Sequence, residues 1–178
     1  MLLRYTAKSV LLIIFAQPKE SSMEKFIGFF RNVTILLFTG ALIWSYAFLA
    51  SQVNYRFDPA GDALGTANKD TYFFGAIIIF LLVNIVCFWF VKTLKKISTT
   101  EDGTGIRNRS LKQDLIGWVK GFAGVLNLFF SLILVFLGLM NMSAGYNIKT
   151  LGFYVYLGPV LIVAWFFYLA VIVSKRRN

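Results

Sequence analysis

Asn84 and Asn127 each stand alone inside a long apolar run, where an amide side chain has donors and acceptors and no water to meet them. An unpaired amide in such surroundings is costly, so each calls for a partner. The two lie at similar depth in antiparallel segments, and this placement predicts that they face each other. A hydrogen bond between helices in lipid contributes ~0.6 kcal/mol on average, which makes helix pairing the ordinary role for them and substrate binding the sharper one. Other chemistry is scarce. The chain has no histidine and one cysteine, Cys87. That removes the commonest general base and metal ligand and any internal disulfide. No Asp, Glu, Lys or Arg interrupts the apolar runs, as the relays and coupling sites of carriers do. No Gly-rich phosphate loop opens a helix. Enzymatic activity is not expected, nor is a cofactor or metal site.

The elements that must position these residues are four apolar segments, at about 33–50, 72–91, 121–140 and 153–173, none of which carries a charge. Each has roughly the ~20 residues that a helix needs to cross a ~30 Å hydrocarbon core. A soluble helix keeps a polar face, and membrane strands would alternate. The fold class expected is an all-α membrane protein, a four-helix transmembrane bundle with a short extended, turn-rich outer loop between the first two helices. Of 18 basic residues, only Arg56, Lys69 and Lys149 fall on the side of that loop. The rest flank the other ends, so both termini and the 92–120 segment are expected in the cytoplasm. Tyr46, Tyr55, Tyr72, Tyr146, Tyr154 and Tyr156 then mark the outer interface, and Trp89, Trp118 and Tyr168 the inner one. With the basic residues placed this way, the net charge of +10 points to lipid and excludes nucleic acid. Residues 1–22 are a leader or precede a start at Met23, because the apolar run 9–16 is too short to span. Residues 23–178 then form a single domain.

The third span carries a stripe of small and polar residues: Gly117, Gly121, Gly124, Asn127, Ser131 and Gly138. Their spacing confines them to an arc of roughly 120°. Small residues let helix backbones approach closely, so the stripe predicts a helix-packing face. In the fourth span Gly158-Pro159 predicts a kink, since proline removes a donor and crowds the preceding turn.

The outer loop, 53–70, is the most individual part of the chain. Val53, Tyr55 and Phe57 alternate as an extended stretch does, and Asp58-Pro59-Ala60-Gly61 has the residues of a type I turn. Asn68 or Asp70 can cap the second helix. As a compact cap, the loop would pack Phe57 and Leu64 on the helices. As a recognition surface, it would offer Arg56, Phe57, Asp58, Gly61, Asp62, Lys69 and Asp70. The pattern formed by Leu49, Val53, Phe57, Asp58, Gly61 and Lys69 resembles the signature of a bacterial membrane domain of unknown function, one also found in Sdp-type immunity and signal-transduction proteins. The resemblance covers about 35–91, and a proline near Ala50, another near Asn54 and a histidine near Arg56 are replaced here. The four-span layout is also similar to that of small membrane proteins of Bacteroidetes-type bacteria.

The resemblance implies sensing or neutralising a toxin at the bacterial cytoplasmic membrane through the outer loop. The alternatives are an accessory subunit or assembly factor offering the small face of the third helix to another membrane protein, and a small transporter or channel with its path near Asn84 and Asn127. The bilayer is the one partner common to all three, and an extracytoplasmic peptide fits the first.

Overall fold

The structure, a computed structural model, describes residues 22–58, 60, 62–97, 109–142 and 148–175. The candidate leader up to residue 21, the middle of the 92–120 segment, Pro59 and Gly61 lie outside the described residues. Four helices and one hairpin follow in order: α1 (Ser22–Phe48), β1 (Gln52–Phe57), β2 (Ala63–Asn68), α2 (Lys69–Lys96), α3 (Arg109–Met140) and α4 (Ile148–Lys175). All four helices are long and apolar enough to cross a membrane.

Each helix is longer than its apolar run, because the polar flanks are helical too. Arg31, expected ahead of the first span, lies well inside α1 with its Nε buried. The ends of α2 show why the extension is stable. The Asn68 side chain accepts from the Asp70 N–H at 3.1 Å, so Asn68 is the cap. Asp70 stands in the first turn and Lys95 and Lys96 in the last, the arrangement that the helix dipole favours. The Lys112 ammonium of α3 donates to the carbonyls of Lys95 (2.9 Å) and Ile97, closing the far end.

α3 is the hub, and α1, α2 and α4 each pack against it. In its most apolar stretch 39% of residues are buried, against 11% in α2 and in α4. The outer faces of α2 and α4 are therefore left bare, with Phe74, Leu82, Phe88, Trp89, Tyr156 and Phe167 among the exposed side chains. Such continuous apolar exposure suits a lipid surround and is rare on a water-facing monomer. α1 and α2 meet through aromatics: Phe38 and Phe80 stack at 4.1 Å, and Tyr46 meets Phe73 at 4.6 Å. Phe38, Leu42 and Leu134 form the buried centre between α1 and α3.

The outer loop is more ordered than a single extended stretch. β1 and β2 pair antiparallel, from Gln52 opposite Asn68 at the base to Phe57 opposite Ala63 at the tip. Two register shifts leave Tyr55 and Leu64 without an opposite residue, and such bulges sharpen the twist of a hairpin. At the tip, Asp58 N–H donates to Asp62 O (2.9 Å), and Asp62 N–H to the Asp58 carboxylate (2.8 Å); the expected turn at Asp58-Pro59-Ala60-Gly61 falls in part outside the described residues.

The helix α4 continues across Pro159. At Gly158 the Phe129 ring of α3 occupies the space where a Cβ would stand, so this glycine permits a close approach of the two helices.

Candidate functional site

The hairpin is fastened to the helices at three places. Val53 is fully buried (0% exposed). The side chain of Asn141, just past the end of α3, reaches Asn54 across 87 residues of sequence. Its Oδ1 accepts from Asn54 N–H at 2.7 Å, and its Nδ2 donates to Asn54 O at 2.8 Å. The amide thus pairs with both backbone groups of Asn54, as a neighbouring strand would. The same Nδ2 also donates to Leu137 O (2.9 Å), which holds the amide to α3. At the base, Lys69 N–H donates to Ser51 O (3.0 Å). Beside it, Tyr46 Oη donates to Asp70 (3.2 Å) and the Lys69 ammonium sits 4.4 Å above the Tyr46 ring, a favourable cation–π distance.

These contacts divide the seven candidate recognition residues into two groups. Arg56, Phe57, Asp58 and Asp62 are at the tip of the hairpin, while Lys69 and Asp70 are at its base. Five residue steps separate the ends, about 17 Å at strand rise. Gly61 lies outside the described residues. Arg56 and Asp62 are exposed, and Phe57 and Asp58 are half-buried. Of the two residues expected to pack beneath the loop, Leu64 is instead 59% exposed, because the bulge at that position takes it out of the pairing. Tyr55, unpaired opposite it, is 54% exposed and lies at the edge of the helices. Its ring lies against Gly65, where a Cβ would come within 3.1 Å of it, and it lines an apolar groove of about 350 Å³ with Tyr72, Ile133 and Leu137.

The two intramembrane asparagines meet. Asn84 Nδ2 donates to Asn127 Oδ1 at 2.8 Å, and Asn127 Nδ2 returns a longer bond of 3.4 Å. Asn84 Nδ2 also donates to Phe80 O (2.9 Å), and Ser131 Oγ donates to Asn127 O (2.7 Å). Asn127 is 0% exposed. Neither amide lines the apolar groove between α2 and α3 or the one beneath Tyr55.

Besides Asn127, which meets α2, the stripe's glycines serve two neighbours. Gly117, Gly124 and Gly138 face α1, beneath Ile27, Phe30 and Trp44, whereas Gly121 lies under Trp165 of α4. Ser131 turns its hydroxyl back onto its own helix. The face that an external partner would have used is thus occupied within the chain. Trp118 is buried against α4. It donates its indole N–H to Trp165 O (2.9 Å), and Trp165 returns the bond to Trp118 O (3.1 Å). This reciprocal clamp joins α3 to α4.

Sequence reasoning missed Asn141 and the Trp118–Trp165 clamp. Asn141 reads as an ordinary residue after a helix, and nothing in the sequence selects Asn54 as its partner. For the clamp there was a faint signal, two tryptophans toward the same end of neighbouring spans.

No family model, curated protein or solved structure matches the chain.

Proposed function

We propose that this chain is a non-enzymatic, multi-pass protein of the bacterial cytoplasmic membrane, a four-helix transmembrane bundle with both termini inside. Its outer hairpin is the recognition element for an extracytoplasmic peptide or protein, a sensing or immunity-type role like that of the family it resembles. One observation carries the reading: Asn141 holds both backbone groups of Asn54. A loop that only joined two helices has no need of a tether to a third. A surface that must hold Arg56 and Asp62 in fixed positions does, since preorganised groups bind at lower entropic cost.

The test is site-specific photo-crosslinking in native membranes. A crosslinker at Arg56 should form a discrete adduct with an extracytoplasmic protein or peptide, and Asp62→Ala should reduce its yield severalfold. A crosslinker at Phe88, exposed on α2, should give lipid adducts only. Absence of an adduct at Arg56, or the same protein adduct from both positions, would defeat the proposal.

A further inference from the structure

The two edges of the outer hairpin are not alike. In an antiparallel pair, opposite residues alternate between exchanging both backbone bonds and turning both groups outward. Asn54 spends its N–H and C=O on Asn141, outside the hairpin, so it is an outward-turned position. Thr66 stands opposite Asn54. It therefore turns its own N–H and C=O outward, along the far edge of β2. Two residues on, Asn68 stands opposite Gln52 and turns outward again. The bond from Lys69 N–H to Ser51 O, one step further, fits this alternation. The Asn68 C=O, at the cap, serves the first turn of α2, which leaves its N–H. Among the described residues, none of these three groups has a hydrogen-bond partner. Thr66 and Asn68 are both exposed, and β2 packs only on β1 and α2 among the described elements.

Exposed strand edges are usually blunted by lysine or proline, or covered. The edge of β1 is covered, because Asn141 occupies it at Asn54. The edge of β2 is not, and its sequence, ALGTAN, has neither lysine nor proline. Backbone donors and acceptors alternating at strand spacing are matched by one kind of molecule, another extended backbone. A second copy of this chain fits poorly. Pairing Thr66 with its own counterpart would run antiparallel and bring Asp62 of each copy toward Asp70 of the other, and like charges placed opposite each other repel. We propose that the edge of β2 takes an extended peptide segment of the extracytoplasmic partner as a third strand, through Thr66 N–H, Thr66 C=O and Asn68 N–H. This is recognition by strand addition, in which main-chain bonds supply the affinity. It deepens the recognition role proposed for the hairpin and rests on it.

The experiment uses the full chain in lipid nanodiscs. Without peptide, Thr66 N–H should exchange with solvent about tenfold faster than Ala67 N–H, which lies in the ladder opposite Val53, as one net hydrogen bond implies. Protection of Thr66 that is lost on dilution would put a second copy on the edge, and protection that persists would put this chain's own residues there. Either result overturns the proposal. Short linear peptides are then selected on the discs from a displayed library, and each backbone N–H of the selected peptides is methylated in turn. Methylation at every second residue should weaken binding roughly threefold to tenfold, the range of one net hydrogen bond. The residues between should tolerate it, because only alternate residues of an added strand turn toward β2. Thr66→Pro removes an N–H that the β1 ladder does not use, a place where an edge strand accepts proline. It should weaken the same peptides by a similar factor while Ala67 exchange is unchanged. If Ala67 exchange shows a damaged hairpin, the methylation pattern decides alone. No peptide retained above empty discs, or methylation tolerated at every residue, overturns strand addition, as does full binding to an intact T66P hairpin. The crosslinker at Arg56 separates the two readings. An Arg56 adduct whose yield T66P leaves unchanged keeps the recognition role and removes the edge, whereas absence of that adduct removes the recognition role and this proposal with it.

Discussion

The Asn84–Asn127 bond is unequal, and the inequality can be measured. Asn84 keeps a second acceptor at Phe80 O, while Asn127 is wholly buried and its side chain bonds, among the described residues, to Asn84. Asn127→Leu therefore removes one interhelical bond and leaves Asn84 still donating to its own helix. That loss should be close to the ~0.6 kcal/mol average for such pairs. Asn84→Leu strands the Asn127 amide in an apolar interior, and an unsatisfied buried group costs about 1–3 kcal/mol. The double variant removes both amides and should recover most of the loss. Unfolding by denaturing detergent, followed by helical circular dichroism, reads all three variants. If N84L is no more damaging than N127L, the bond does not carry the asymmetry that its geometry implies. The pairing itself was legible in the sequence, because an amide in hydrocarbon has few ways to be satisfied and the two stood at matching depth. Its inequality was not, since it depends on which backbone carbonyl each amide can also reach.

At the scale of elements, what could be read was what a single element decides for itself. Apolar length fixed the four helices, and Asn68 or Asp70 stood as the cap of α2, of which Asn68 is the one used. The division of the glycine stripe between α1 and α4 was hidden, because a stripe identifies a crowded face and not the neighbour that crowds it. β2 was hidden for a related reason. Its sequence, ALGTAN, is weak in the β-branched and aromatic residues that mark strands, and it pairs because β1 offers an edge and the helix ends hold the two together. That dependence predicts where the hairpin will fail. Asn141→Ala removes both bonds to Asn54, at a net cost of about 0.5–1.5 kcal/mol each. The Asn54 amide should then exchange with solvent roughly tenfold to a hundredfold faster, as about 1.4–2.8 kcal/mol of lost protection implies, while amides in the middle of α2 are unchanged. Asn141→Asp retains an acceptor for Asn54 N–H and loses the donor to Asn54 O, so most of the protection should remain. Exchange at Asn54 that is indifferent to N141A would mean that the hairpin is held by Val53 and Lys69 alone.

For the whole molecule, the proposed orientation follows from charge. The basic residues at α2's last turn, in α3's first turns and beyond α4 belong to one side. The hairpin side has three, Arg56, Lys69 and Lys149, with Asp58, Asp62 and Asp70 among them. Near an anionic inner leaflet each Lys or Arg contributes about 1 kcal/mol, so the opposite insertion would forgo many such contributions at once. The lone Cys87 is buried, and replacing it with serine gives a background in which an introduced thiol reports one position. Asp62→Cys lies at the exposed tip of the hairpin, and Lys95→Cys at the exposed end of α2. A maleimide that cannot cross membranes should label the first in intact cells, and the second only after the membrane is opened. Labelling of Lys95→Cys alone would invert the molecule and put the hairpin in the cytoplasm, where an extracytoplasmic ligand could not reach it. Labelling of both from outside would mean that α2 does not cross, because its 28 residues, about 42 Å at helical rise, are what separates the two thiols.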